Sequence, residues 1–322
     1  MAVTIQVENG KVVGEQLNEK LATRLCRYTS GLFAPIQFKG FWRVTKLICK
    51  LFNISERQWV SLANGLEFSI DLTDPYWNRM ISPHFAYEPE IMHLLNRMKD
   101  LDYSFIDCGA NMGYWSCLAA SEAFGAKQVY AIEPLSDNYQ LLQVHANRNQ
   151  QNIHLFKNAI AQNHGVDVPL FKPGSHASVS LLKHASEGTP TEVVKTITLD
   201  SMLHTYLQDT DNIFLKLDVE GVEIEALKGA TTLLAEKKPL IIYEDHSNDA
   251  NSAISDYILN QLGYTVLYLD EALQCHQMTS VAQINAIKVK ANHGYNFIAF
   301  DPQSLFANQA MSACLKSVNR VA

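Results

Sequence analysis

The sequence predicts an α/β domain in which a mostly parallel sheet is covered by helices on both faces. Between residues 103 and 300, short uninterrupted apolar segments alternate with helical patterns, as expected of strands that are buried on both sides. In addition, a glycine-containing turn directly follows the first of these segments and opens a helix. A turn of this kind is typical of Rossmann-like folds, which bind ligands at the carboxyl ends of their strands.

The elements of this domain can be assigned in chain order from their apolar residues. Strands are expected at 103–108, 128–133, 153–157, 212–218, 239–245, 264–269 and 295–300. Helices are expected between them, at 113–124, 136–149, 222–235 and 250–262. A further strand at 66–72 precedes a helix that starts near Pro89, and the segments 166–171 and 193–199 predict a hairpin. Asp200 is expected to cap a short helix that ends at Leu207.

The composition indicates a globular protein with no nucleic-acid partner. Of the 322 residues, 47% are apolar and 18% are charged, and the formal net charge is −7. A negatively charged protein is poorly suited to bind phosphate backbones. The N-terminus lacks a signal-peptide pattern and no apolar run is long enough to span a bilayer, so we expect a cytoplasmic location. The six cysteines form no CxxC pair, which favours reduced thiols over a zinc site or a disulfide framework.

The first part of the chain differs from the rest in charge. Residues 1–60 contain nine Lys and Arg against four Asp and Glu, and they predict helices at 14–28 and 41–52. The second helix is amphipathic and basic, so the segment 39–52 has two interpretations: peripheral contact with an anionic membrane, or packing on the main domain or a second subunit of a homodimer. We favour packing. We accordingly divide the chain into an N-terminal helical accessory region (1–65), a main domain (66–301) and a C-terminal tail (302–322).

The most informative motif is FIDCGANMG at 105–113. Gly109 and Gly113 allow the backbone to approach a ligand closely, and the N–H groups that start the next helix can bind it. The dinucleotide pattern G-x-G-x-x-G fails at Asn111 and Tyr114. The S-adenosylmethionine pattern, acid-x-G-x-G-x-G, matches from Asp107 onward with Asn111 in place of the middle glycine, and asparagine tolerates left-handed backbone angles. A carboxylate at 107 also suits the ammonium of the methionine moiety better than it suits a pyrophosphate.

Further candidates for the cofactor site follow the next two strands. Glu133 comes about 20 residues after the glycine turn, where an acid in Rossmann-like folds accepts hydrogen bonds from ribose hydroxyls. The alternative is that Glu133 only caps the next helix. Asn158 is placed to meet the adenine edge. The remaining cofactor-site candidates adjoin these motifs and are Ala110, Pro134, Ala159, Tyr87 and Glu88.

A second cluster, KLDVEGVE at 216–223, follows the fourth strand. Asp218 lies at the carboxyl end of that strand, beside the point where ligands bind in open α/β sheets, and Glu220 follows it in the loop. The alternative interpretation is structural: Glu223 caps the next helix and pairs with Lys216. Glu244 and His246 end the neighbouring fifth strand, so we expect them to share a cleft with Asp218 and Glu220.

Taken together, these motifs resemble the FkbM family of methyltransferases. The motifs that carry the resemblance lie at 87–90, 105–116, 131–134, 198–201, 214–230 and 241–244, and it covers about 66–300. The resemblance implies a Rossmann-like class I methyltransferase sheet of seven strands with the last antiparallel, and O-methyl transfer from S-adenosyl-L-methionine to a hydroxyl of a sugar, glycan or related natural product. It places Asp107, Gly109, Asn111, Gly113 and Glu133 at the cofactor, and Asp218, Glu220 and Glu244 near the acceptor.

The proton of the acceptor hydroxyl requires a base, for which the candidates are Asp218, then Glu220, then His246. A divalent metal on these carboxylates is an open alternative, since hard cations prefer oxygen ligands. The polar segment 172–192 is either a lid over the acceptor or an ordinary surface loop.

Two other functions compete with methyl transfer. One is a nicotinamide-dinucleotide-dependent oxidoreductase or epimerase, and the other is a non-catalytic nucleoside-binding protein. A nucleic-acid methyltransferase is disfavoured because the chain is acidic and lacks a base-flipping motif after the fourth strand.

Overall fold

The computed structural model describes residues 11–12, 16–171, 191–245, 251–288 and 295–315. The chain forms two compact units. The first comprises Met1–Tyr87 together with Val144–Gln150, and the second comprises Glu88–Gln143 together with Gln151–Ala322. The first unit therefore continues past residue 65, where we expected the accessory region to end. No helix in the described ranges is long and apolar enough to cross a membrane.

The first unit contains two helices and a small antiparallel sheet. Its elements are β1 (Lys11–Val12), α1 (Leu17–Phe33), α2 (Phe41–Phe52), β2 (Arg57–Ser61) and β3 (Glu67–Asp71). The predicted helices and the strand at 66–72 are present, whereas β2 was not predicted. Gly40 and Asn53 flank α2 with left-handed backbone angles, which explains why this helix begins and ends there.

The second unit is built around an eight-stranded sheet. In chain order its elements are α3 (Pro89–Arg97), β4 (Ser104–Cys108), α4 (Tyr114–Ala119), β5 (Gln128–Ile132), α5 (Ser136–Arg148), β6 (Ile153–Phe156), β7 (Ala159–Ile160), β8 (Asp167–Leu170), β9 (Glu192–Ile197), α6 (Leu199–Tyr206), β10 (Ile213–Leu217), α7 (Glu223–Lys228), α8 (Thr231–Lys237), β11 (Leu240–Glu244), α9 (Ala253–Asp256), β12 (Thr265–Leu269), β13 (Cys275–Met278), α10 (Val281–Lys288), β14 (Asn296–Phe300) and α11 (Leu305–Leu315). The last residues of α5 count with the first unit.

The strand order across this sheet is β13-β12-β14-β11-β10-β4-β5-β6. Strands β11, β10, β4, β5 and β6 are parallel, and β14 runs antiparallel between β11 and β12. The predicted class I methyltransferase sheet is thus confirmed, with its last strand antiparallel. The strand β13, which was not predicted, adds an eighth strand at one edge. The predicted hairpin is also present as β8 and β9.

Several predicted helices are interrupted. The segment 222–235 forms two helices, α7 and α8, and the first ends at its C-cap Gly229, where a Cβ would lie 2.4 Å from the Ala161 carbonyl oxygen. A 3₁₀ turn at Glu122–Phe124 follows α4, and a π-helix at Tyr257–Gln261 follows α9. The apolar periodicity did not predict these breaks.

The predicted role of Asp200 as the cap of its own helix is wrong. The hydroxyl of Thr198 caps α6 by accepting the Ser201 N–H at 3.0 Å. The Asp200 carboxylate instead accepts the backbone N–H groups of Thr232 (3.1 Å) and Leu233 (2.8 Å), at the start of α8. Asp200 therefore joins two helices that are separated in sequence.

The central strands position the site. Every residue of β4, β10 and β14 is buried, which explains their uninterrupted apolar patterns. Two charged residues nevertheless lie within these strands, and the parallel register places them side by side: Lys216 of β10 is paired with Asp107 of β4. Because side chains at paired positions point to the same face, both are carried into the interior together.

Candidate cofactor and active site

The turn after β4 has three residues in left-handed conformations. The φ angles are +81° at Gly109, +51° at Asn111 and +85° at Gly113. A Cβ on Gly109 would lie 1.8 Å from the Asp218 carbonyl oxygen, and one on Gly113 would lie 2.4 Å from Leu142 Cδ1. At Gly109 the clash is with backbone, so no side chain fits there; at Gly113 the clash is with a leucine side-chain end, and the positive φ angle is what favours glycine. Asn111 adopts the left-handed conformation predicted for it, and its side-chain oxygen accepts the Met112 N–H at 2.7 Å.

The carboxylate of Glu133 joins this turn to the next one. Its Oε2 accepts the Asn111 N–H at 2.8 Å, and its Oε1 accepts the Leu135 N–H at 3.0 Å. Burial raises the pKa of Glu133 to about 7, although these donors act in the opposite direction. The Asn138 side-chain amide also donates to Glu133 Oε1, at 3.4 Å. An ionised carboxylate has about four acceptor positions, so these three bonds leave room for a hydroxyl donor.

Asp107, Lys216 and Asp218 form a buried charge cluster where β4 and β10 end. The Lys216 Nζ lies 3.0 Å from Asp218 Oδ2 and 3.6 Å from Asp107 Oδ1. Asp107 Oδ2 accepts the Ser116 hydroxyl at 2.6 Å, whereas Asp107 Oδ1 has no hydrogen-bond donor among the described residues. Burial raises the pKa of Asp107, and the positive charge of Lys216 opposes this rise. Although burial lowers the pKa of Lys216, the two carboxylates raise it above its usual value, so Lys216 is charged.

The loop after β10 shows that Lys216 does not pair with Glu223. The Glu223 carboxylate accepts the backbone N–H groups of Val219 (3.2 Å) and Gly221 (3.1 Å), which belong to the loop before α7, so it fixes that loop. Among the described residues no side-chain cap hydrogen bond is made at the start of α7, and the alternative interpretation of Glu223 as a helix cap paired with Lys216 is wrong. Glu220 and Gly221 have φ angles of +56° and +97°, which turn the chain sharply. Glu220 is half-buried in this turn.

A second carboxylate cluster lies at the start of α3. The Asn296 side-chain amide donates to Glu90 Oε1 (2.6 Å) and to Glu88 Oε1 (3.1 Å), and the Trp115 indole N–H donates to Glu88 Oε2 (2.5 Å). Burial raises the pKa of Glu88 to about 7; the charge of Lys216 opposes this rise and that of Asp218 adds to it. Glu88 is therefore close enough to interact electrostatically with both residues.

Comparisons with known proteins agree with this geometry. Residues 107–266 match the sequence profile of the methyltransferase FkbM domain. The chain carries an FkbM methyltransferase domain. The resemblance stated from the sequence motifs is thereby confirmed.

The chain is also similar to individual known proteins, one matched by sequence and two by structure. The hexuronic acid methyltransferase AglP of Haloferax volcanii is 29% identical over 205 residues, which are 59% of this chain and 80% of AglP. Among solved structures, the methyltransferase FkbM of Methylobacillus flagellatus KT is 21% identical with a TM-score of 0.41, covering 62% of this chain and 44% of that one. The chain thus spans less than half the length of the Methylobacillus protein. TYW2 of M. jannaschii, solved in complex with AdoMet, is 12% identical with a TM-score of 0.38, covering 76% of this chain and 85% of that one.

The other predicted site residues of the FkbM domain are distributed as follows. Glu244 ends β11 and is paired in register with Asn296, which holds Glu88 and Glu90. Ala110 is buried and Pro134 half-buried in the two turns that Glu133 joins. His246 lies outside the described residues, as does the segment 172–190 of the predicted lid.

Three further cofactor-site candidates lie away from the glycine turn in sequence. Asn158 donates its side-chain N–H to the Lys195 carbonyl oxygen at 3.0 Å, and Ala159 is buried in β7. Tyr87 belongs to the first unit, where its ring packs 5.2 Å from that of Trp77. Their roles at the cofactor stay predictions. Within the described ranges, no group of three or more His, Cys, Asp or Glu is arranged to hold a metal ion.

The site also contains residues whose roles the sequence analysis missed. Lys216 was interpreted only as the partner of a helix cap, although a lysine inside an otherwise apolar strand already indicated a buried charge. Glu90, Trp115 and Ser116 lie within the motifs that carry the resemblance but were given no role, and Asn296 lies outside those motifs. Asn296 and Glu88 are separated by 208 residues, so only the fold brings them together.

Proposed function

We propose that the chain transfers a methyl group from S-adenosyl-L-methionine to a hydroxyl of a sugar or glycan. The observation that carries the proposal is the turn at 109–113, whose two glycines and left-handed Asn111 are held against the carboxylate of Glu133. The FkbM domain and the similarity to a hexuronic acid methyltransferase support the same reaction class.

The residues of the turn fit this cofactor. The glycine backbone at 109 and 113 carries no side chain that would cover it, and Glu133 retains an acceptor position for a ribose hydroxyl. The sulfonium of S-adenosylmethionine supplies a methyl group on a good leaving group. Asp107 is only 1% exposed and already bound by Ser116, so we assign it to position Lys216 and the turn. Glu88, which is half-buried, is then the carboxylate that faces the ammonium of the methionine moiety.

Asp218 is the residue that accepts the proton of the acceptor hydroxyl in this proposal. It stands at the carboxyl end of β10, half-buried, with its Oδ2 3.0 Å from the Nζ of Lys216. General bases typically contribute about 10²–10⁴-fold to a rate, and correct placement of the acceptor oxygen contributes roughly 7–11 kcal/mol. Glu220, Glu244 and His246 are the alternative bases.

The test combines a methyl-transfer screen with one substitution. The protein is incubated with methyl-labelled S-adenosylmethionine and a panel of uronic acids, nucleotide sugars and glycans. The Asp218→Asn variant should lose about 10²-fold or more of its turnover while it retains S-adenosylhomocysteine binding. The control is Asp167→Asn, because Asp167 also pairs with a lysine at 3.0 Å but on the exposed surface, and this variant should keep normal turnover.

Three results would contradict the proposal in different ways. Normal turnover by Asp218→Asn would show that the base is another residue. Binding of S-adenosylhomocysteine without methyl transfer to any hydroxyl acceptor would show that the acceptor class is wrong. Binding of a nicotinamide dinucleotide in place of S-adenosylhomocysteine would show that the reaction class is wrong.

A further inference from the structure

Helix α1 exposes a continuous apolar stripe. Five large side chains, spaced three or four residues apart, are 38–79% exposed: Leu17, Leu21, Leu25, Tyr28 and Leu32. Helix geometry places this spacing on one face. The buried residues of the same helix, Ala22, Cys26 and Ser30, lie on a different face. The stripe is therefore additional to the face with which α1 packs in the first unit.

Helix α2 exposes both apolar and basic side chains. Leu47 and Leu51 are exposed, and Arg43, Lys46 and Lys50 are exposed on the same helix. The Asn18 side-chain amide donates to the Phe52 carbonyl oxygen at 3.2 Å, so the start of α1 is tied to the end of α2. We call these two helices, Leu17–Phe52, the helix pair.

The charged residues of the helix pair are almost all of one sign. The helix pair contains one acidic residue, Glu19 in the first turn of α1, and seven basic residues, so its charge is predominantly positive although the net charge of the whole chain is −7. The basic residues are Lys20, Arg24, Arg27, Lys39, Arg43, Lys46 and Lys50. All of them except Arg27 are classed as exposed, and Arg27 is half-buried. This surface requires a partner that offers negative charge together with an apolar layer.

We propose that the helix pair binds the surface of a lipid bilayer that contains anionic lipids. Leucine and tyrosine side chains of such helices enter the boundary between headgroups and acyl chains, while lysine and arginine stay at the level of the phosphates. A second copy of the chain fits the surface poorly, because a symmetric interface places this surface against itself and opposes seven positive charges with seven more. A nucleic acid offers the charge but no hydrocarbon layer for the stripe.

The experiment is a vesicle sedimentation assay with the full chain. Vesicles of phosphatidylcholine alone are compared with vesicles that contain about 30% phosphatidylglycerol, at about 0.1 M salt. The protein should sediment with the anionic vesicles and stay in solution with the neutral ones. Raising the salt to about 0.5 M should weaken binding at least about fivefold, because the electrostatic part is screened. No cofactor or acceptor is present, so the result is independent of the proposed methyl transfer.

Two double variants separate the charge from the apolar stripe. Lys46→Glu/Lys50→Glu should weaken binding at least about 30-fold, since each basic group near an anionic surface contributes about fivefold. Leu25→Ser/Tyr28→Ser should weaken it at least about tenfold by removing apolar area that enters the bilayer. The matched controls are Lys99→Glu and Leu305→Ser, which change exposed residues of the second unit and should leave binding within about twofold. All of these substitutions are at exposed positions, and circular dichroism checks that the fold is retained.

Two outcomes would overturn the proposal. One is that the wild-type protein fails to sediment with anionic vesicles, or that test and control variants bind alike. The other is that sedimentation velocity shows a dimer which Leu25→Ser/Tyr28→Ser converts to a monomer, with no vesicle binding by either form. In that case the stripe is a contact between two copies of the chain.

Discussion

Replacing Lys216 with methionine tests whether the buried charges at the carboxyl ends of β4 and β10 depend on one another. Lys216 is buried and neutralises two carboxylates, of which Asp107 is 1% exposed and has one oxygen without a hydrogen-bond donor in the described part of the chain. The Lys216→Met substitution keeps the length of the apolar stem but removes the positive charge. It therefore leaves a buried carboxylate with no counter-charge.

The magnitude follows from the burial of this group. Removing one partner of a buried ion pair costs about 3–5 kcal/mol, and a domain of this size loses about 2–4 °C of melting temperature per kcal/mol. The expected drop is therefore about 6–20 °C. A second ion pair provides the control: Lys238 and Asp301 are 2.9 Å apart, but their side chains are 30% and 22% exposed. An exposed pair contributes about 0–1 kcal/mol, so Lys238→Met should lower the melting temperature by less than about 4 °C.

The assay is thermal unfolding followed by circular dichroism, from about pH 5 to about pH 8. Without Lys216 the pKa of Asp107 rises further, because burial is no longer opposed by a positive charge. A carboxyl whose folded pKa is above its unfolded pKa contributes stability at low pH that is lost as the pH rises. The drop in melting temperature caused by Lys216→Met should therefore be larger at pH 8 than at pH 5. Adding Asp107→Asn should recover part of it, because the buried charge is then gone.

Two results would refute this reasoning. One is a Lys216→Met variant that melts no lower than Lys238→Met. The other is a double variant, Lys216→Met/Asp107→Asn, whose loss equals the sum of the two single losses, because residues that do not interact give additive effects.

Two further predictions concern the glycine turn and the acidic cluster. Gly109→Ala should lower stability by about 2–5 kcal/mol and abolish S-adenosylhomocysteine binding, since the added Cβ would lie 1.8 Å from a carbonyl oxygen. The control is Gly263→Ala, because φ there is +67° and nothing lies within 4 Å of an added Cβ. It should lower the free energy of unfolding, measured in urea, by only the left-handed strain of about 1–2 kcal/mol. Equal losses of stability in the two variants would contradict the steric argument. Burial raises the pKa of Glu88 to about 7, so this carboxyl is largely protonated between about pH 5 and pH 7. When the ammonium of S-adenosylhomocysteine binds beside it, Glu88 should release its proton. Calorimetry would detect this release as a binding heat that depends on the buffer. Glu88→Gln should remove that proton release, and an unchanged release would assign it to another group.

The sequence contained enough information to predict the local geometry of the cofactor turn. The glycine positions, the left-handed Asn111 and the acid after β5 depend on backbone conformations that particular residue types permit, and the structure has all three. The parallel sheet was equally accessible, because buried strands consist of unbroken apolar runs. The cap at Thr198 is also a local feature, because Thr198 and Ser201 are three residues apart, although the prediction named Asp200 as the cap.

The remainder of the site depends on contacts between distant segments. The pairing of Asp107 with Lys216 follows from the register of β4 and β10, which no local pattern specifies. The cluster of Glu88, Glu90 and Asn296 requires the antiparallel insertion of β14 beside β11. The close approach of Gly229, at the break between α7 and α8, to Ala161 likewise joins distant segments. Such features cannot be predicted from periodicity or motifs, because they depend on contacts between residues far apart in the sequence.

The central claim is that the turn after β4 and the carboxylate of Glu133 hold an S-adenosyl nucleoside. Isothermal titration calorimetry with S-adenosylhomocysteine tests it most directly. We expect one binding site in the wild-type protein, at least about tenfold weaker binding in Glu133→Ala, and unchanged binding in Glu122→Ala, whose carboxylate is on the surface. Absence of binding to the wild-type protein, or equal binding by the two variants, would contradict the account.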